Sequence, residues 1–112
     1  MTYASPSLTP LPRGPNGEVF QDIYRNIQSG NGTVTTAGTP VTLTATATEA
    51  KAVDIYNNNN AAVLYVGGSS VSSTKGIPLQ PSFTYRLQVT DLSLIHIDSD
   101  TNGATFTFTY MW

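Results

Sequence analysis

No cysteine occurs among the 112 residues, histidine and tryptophan occur once each, and only 11% of side chains are charged. Each shortage removes a class of function. Without thiols there is no disulfide framework, no Cys-based zinc site and no thiolate nucleophile. The five cationic residues, Arg13, Arg25, Lys51, Lys75 and Arg86, are scattered, whereas phosphate binding needs a clustered cationic face, so the expected partners include no nucleic acid. Long apolar runs are also missing. The longest, Ala61 to Val66, is far too short to span a bilayer, and MTYASPSLTPLPRGPNG at the N-terminus has no apolar h-region. The expectation is a chain made in a cytosol without Sec-type export and with no membrane partner.

What the chain has instead is threonine, serine and asparagine, which supply surface polarity in place of charge, and a length that suits one domain. AAVLYVGGSSVSSTKGIPL, residues 61–79, organises the rest. A run of β-formers stops at Gly67-Gly68, and beyond the turn Gly76 and Pro78 suit a corner or an edge. Phe83, Tyr85, Leu87 and Val89 alternate with polar residues, as do Val41, Leu43, Ala45 and Ala47 in VTLTATAT. AVDIYN (52–57) and LSLIHID (92–98) read as two further strands, and a short one fits 33–36. In the last strand Phe106, Phe108, Tyr110 and Trp112 share one face and Thr105, Thr107 and Thr109 the other. Six or seven short strands joined by Gly, Pro and Asn turns, among them SGNGT, AGTP and the run Asn57 to Asn60, predict an all-β fold: a small antiparallel β-sandwich, jelly-roll-like, over residues 31–112.

Residues 1–30 read as an extended N-terminal arm. Pro6, Pro10, Pro12 and Pro15 favour extended or polyproline II backbone. Within the arm, EVFQDIYRNI (18–27) spaces its apolar residues by three and four, which predicts a short helix; the alternative is an extended segment pairing with the sheet. Phe20, Ile23, Tyr24 and Ile27 are too apolar for a free tail and are the candidate partner-binding residues. Their burial is to come from a partner or from the arm's own sandwich.

Few residues suggest chemistry. Asp98-Ser-Asp100-Thr-Asn102-Gly103 matches the opening of a calcium loop, in which alternate oxygens converge on a hard cation. Thr109 then stands where that loop carries glutamate, and the flanks read as strands. A polar turn explains Asp98, Asp100 and Asn102 equally through side-chain bonds to the backbone. His96 lies mid-strand, with its nearest carboxylate in sequence, Asp98, about 7 Å along the same strand face by strand rise. Ser69, Ser70, Ser72 and Ser73 follow glycines without forming a nucleophile elbow or a phosphate loop. The expectation is no catalytic residue, no metal and no cofactor.

LYVGGSSVSSTKGIPL, the strand 83–89 and DLSLIHID together resemble a pattern in small tailed-bacteriophage virion proteins. There a strand ends in YVGG, a corner carries GIPL, and a DLS-x-I-x-I-D strand precedes an aromatic last strand. The resemblance covers residues 41–112. It implies a capsid decoration or cement protein on the capsid exterior, assembled in the host cytoplasm and binding the major capsid protein as a homo-oligomer, a trimer rather than a dimer. A tail or fibre component that binds carbohydrate is the alternative.

Overall fold

The computed structural model describes residues 24–112. They form eight strands: β1 (Ile27–Val34), β2 (Val41–Thr42), β3 (Ala52–Tyr56), β4 (Leu64–Gly67), β5 (Ile77–Leu79), β6 (Thr84–Leu87), β7 (His96–Ser99) and β8 (Ala104–Met111). A 3₁₀ turn at Leu92–Leu94 precedes β7. The strands make two four-stranded antiparallel sheets, ordered β1-β8-β3-β6 and β2-β7-β4-β5, so the all-β expectation holds.

Strand pairing is nested. β4 pairs with β5, β3 with β6, β2 with β7 and β1 with β8, all antiparallel. The chain is thus one long hairpin folded over on itself, with β3–β8 and β4–β7 pairings completing the two sheets. Its tip is the corner 68–76. There Val71 is buried, the Val71 amide donates to Gly68 O at 3.0 Å, and Ser72 and Lys75 exchange backbone bonds of 2.8 and 3.1 Å. Gly76, at φ +144°, is the corner's hinge: a Cβ there would come within 2.5 Å of Val71 Cγ2 and 3.0 Å of Val66 O.

The core lies between the sheets. Val53 and Ile55 of β3 and Phe106 of β8 face Leu64 and Val66 of β4 and Ile97 of β7, all at most 2% exposed. Each buried side chain of this size stabilises the fold by about 1.5–3 kcal/mol. The expected alternation in β8 holds, with Ala104, Phe106 and Phe108 buried and the three threonines turned away. Phe106, Phe108, Tyr110 and Trp112 form a ladder with centroid separations of 6.4, 6.1 and 5.2 Å.

The structure departs from the sequence reading at six places. Ile27 opens a strand, so the helix expected over 18–27 gives way there to the extended alternative, while Phe20, Ile23 and the rest of the arm through residue 23 lie outside the described residues. Residues 27–30, placed in the arm by composition, belong to the sheet. SGNGT is strand rather than turn, because Gly30 and Gly32 lie opposite Phe108 and Phe106, and the rings occupy the space that side chains on β1 would fill. VTLTATAT pairs only at Val41 and Thr42. Beyond Leu43 the Thr44 and Thr48 hydroxyls both donate to Thr46 O, a local bonding pattern that competes with a ladder, and the methyls of Ala45 and Ala47 offer little to bury. Phe83 is 62% exposed, since β6 is an edge strand that begins at Thr84. LSLIHID splits into the 3₁₀ turn and β7, because Asp91 caps the turn through the Ser93 amide.

Candidate functional site

One end of the sandwich gathers most of the polar residues singled out in sequence. Asp98, Asp100 and Asn102 sit where β7 turns into β8, and their oxygens are held by two stretches of backbone, residues 37–38 and residue 63. Asp98 Oδ1 accepts from the Gly38 amide at 2.9 Å and the Ser99 amide at 2.8 Å. Asp100 Oδ1 accepts from Val63 N at 3.0 Å and Thr101 Oγ1 at 2.8 Å, and Asn102 Oδ1 accepts from Ala37 N at 2.8 Å. These bonds diverge toward the loops after β1 and before β4, so the three side chains knit loops together instead of converging on one point. Among the described residues no group of three or more His, Asp or Glu side chains is placed to hold a metal ion.

The asparagine run at the same end has a structural task that its composition did not reveal. Asn57 is fully buried: its Nδ2 donates to Ala62 O and Leu79 O, both at 2.8 Å, and its Oδ1 accepts from the Asn59 backbone and side chain at 2.9 and 2.7 Å. That uses the full capacity of a primary amide. Asn59 continues the β3 edge with its side chain, donating to Thr105 O at 2.7 Å and accepting from Thr105 N at 3.0 Å. A strand-like pair of bonds is thereby made without a strand.

His96 lies in β7, paired with Thr42 of β2 and Gly67 of β4. Its Nδ1 is 3.4 Å from Leu94 O, and Asp98, two residues on, is committed to the amides of Gly38 and Ser99. In the corner, Ser72 Oγ contacts Thr74 Oγ1 at 3.2 Å. Two carboxylates elsewhere are held below the usual range. Asp54 receives Arg86 Nε and Nη2 at 2.7 and 2.9 Å across β3 and β6, and this bond to Arg86 is the main cause. Asp91 accepts from Thr48 N, Ser93 N and Ser93 Oγ, in that order of effect.

The remaining features are surfaces. Strand register puts Ser29, Asn31 and Thr33 of β1 beside Thr109, Thr107 and Thr105 of β8 on the outer face of the first sheet, where Ser29 Oγ and Thr109 Oγ1 lie 3.0 Å apart. Tyr56 and Ile27 are exposed apolar groups on that face, Ile27 to 69%. Of the four arm residues nominated for binding, Tyr24 is half-buried and Ile27 exposed. Ile77, Phe83 and Leu94 are exposed elsewhere. No protein-family model matches the chain, and neither does any curated protein or any solved structure.

Proposed function

We propose that the protein is a non-enzymatic virion structural protein, a capsid decoration or cement protein of a tailed bacteriophage that binds and stabilises the shell of the major capsid protein from outside. The observation that carries this reading is the nested pairing of eight strands in two sheets ordered β1-β8-β3-β6 and β2-β7-β4-β5. That order supports assignment as a jelly roll, an architecture used by capsid and lectin domains. Fold-level likeness is an analogy; the YVGG, GIPL and DLS-x-I-x-I-D motifs add a second line of support. The polar side chains at the sandwich end are engaged in holding loops, which favours a packing role over a chemical one.

In this reading the arm anchors the protein to the shell through Phe20, Ile23, Tyr24 and Ile27, and the protein acts as a homo-oligomer. Co-sedimentation of the full chain with purified capsids tests it. Saturable binding that raises the temperature of capsid disruption is expected, with Ile27→Ser weakening retention; absence of binding to shells of every type offered overturns it. Tyr56, exposed among Thr84, Thr107 and Asn31 on a polar sheet face, favours a second reading, a carbohydrate-binding tail or fibre module. Glycan binding abolished by Tyr56→Ala would establish that one.

A further inference from the structure

The four edges of the two sheets are not alike. β2 has two residues, β5 has three with Pro78 at its centre, and β6 has four with Arg86 in an ion pair. Such short, charged or proline-bearing strands are poor templates for further pairing. β1 is the exception: IQSGNGTV has eight residues, no proline and no charge, and among the described residues it pairs only with β8.

The hydrogen-bond phase of β1 can be read from its start. Asn26 and Trp112 exchange backbone bonds of 2.9 and 3.1 Å, and residues of an antiparallel pair alternate between bonded and non-bonded positions. Gln28, Gly30, Gly32 and Val34 therefore bond to Tyr110, Phe108, Phe106 and Ala104, while Ile27, Ser29, Asn31 and Thr33 direct their amides and carbonyls away from β8. The Thr105 amide and carbonyl, which turn toward Asn59 and not toward β1, fit the same phase.

We infer that β1 is a self-association edge that takes a second copy of this chain, antiparallel, about a two-fold axis at Gly30. The phase selects this register. With Gly30 opposite its own symmetry mate, Ile27 meets Thr33 of the other copy and Ser29 meets Asn31, each pair exchanging two bonds. Four outward residues, with one donor and one acceptor each, are then fully satisfied. Centring on Asn31 leaves Ile27 without a strand partner, and any register shifted by one residue sets outward groups against inward ones. Side chains agree with the choice: the axis falls on a glycine, Gln28 meets a glycine, and no like charges oppose each other. The product is a continuous eight-stranded sheet with an isologous contact. This two-fold differs from the trimer implied by resemblance and does not depend on a virion role.

Sedimentation of the full chain at concentrations on the order of 100 μM, where a contact below standard interface size still forms, is expected to show a dimer. Asn31→Pro removes an outward donor and leaves the bonds to β8 intact; it should weaken the dimer roughly tenfold or more while the β circular dichroism persists. In a chain without native cysteine, Ser29→Cys with Asn31→Cys should oxidise to a covalent dimer, and Ser29→Cys with Thr33→Cys should not, because only the first pair lies within disulfide reach in this register. A monomer at all concentrations, a trimer, or a dimer indifferent to Asn31→Pro overturns the inference. Should Asn31→Pro not fold, failure of the 29/31 pair to cross-link overturns it alone. Loss of association by proline without that cross-link also overturns it, and would point to another segment, such as the arm of a neighbouring copy, on the edge.

Discussion

Gly32 of β1 lies directly opposite Phe106 of β8, and a Cβ on Gly32 would stand 2.4 Å from the ring's Cζ. Phe106 is among the most buried side chains of the core, so the ring has little freedom to retreat. Gly32→Ala is expected to destabilise the fold by about 1–3 kcal/mol through overpacking. Gly30→Ala, facing the slightly more exposed Phe108, should cost less. Chemical denaturation of the two variants checks the order; equal stability of Gly32→Ala and the parent would disprove the contact.

Asn57→Ala should be among the most damaging polar substitutions. It leaves the Ala62 and Leu79 carbonyls without their donor, at about 1–3 kcal/mol for each buried group that water does not reach. Asn60→Ala, at an exposed position of the same run, should fall within about 0.5 kcal/mol of the parent. A thermal melt of both separates a core node from a loop residue.

Acid should destabilise the protein in a defined window. Asp54 and Asp91 titrate lower when folded than when unfolded, so the native state binds fewer protons than the unfolded one. Their contribution is complete above about pH 4 and is lost as pH falls through the lowered folded values. Asp91→Asn should flatten the decline in melting temperature below that pH. The Asp54–Arg86 pair is partly exposed, and its contribution is roughly 0.2–1 kcal/mol at most.

Millimolar calcium should leave the melting temperature unchanged, since Asp98, Asp100 and Asn102 already accept backbone amides, Asp98 and Asn102 from the loop after β1 and Asp100 from the loop before β4. Asp98→Ala should lower it, having removed the acceptor for Gly38 and Ser99. A calcium-dependent rise abolished by Asp100→Ala would restore the metal reading.

Period-two alternation made β8 and β3 legible, because in those segments large side chains fall on one face and threonine or other polar groups on the other, and the YVGG strand was legible as a run of β-formers stopped by two glycines. The same rule failed at VTLTATAT, where the pattern was perfect but alanine methyls had little to bury. It failed in reverse at Ser29 to Gly32. Two glycines signal a turn when only local conformation is weighed, and the reason for their extended state sits on a strand over seventy positions away. Asn57 was unreadable for a similar cause: an asparagine in a polar run gives no sign that its amide will be enclosed by the ends of β4 and β5. The motif of Asp98, Asp100 and Asn102 was visible, but ligand convergence is a property of three dimensions, and here Asp98 and Asn102 bind the loop after β1 while Asp100 binds the one before β4.

Nested pairing also dictates an order of events. The β4–β5 tip closes over a corner of only nine residues, 68–76, whereas β1 must find β8 from the far end of the chain. Loop-closure entropy makes the first contact easy and the last slow, so refolding should extend into the millisecond-to-second range typical of non-local β topologies. During that interval β8, with its three aromatic rings, waits for glycine-bearing β1 to cover its flank. Nascent copies are most exposed to mispairing at that moment, and its length is set by the late β1–β8 closure and not by the corner 68–76, which forms first.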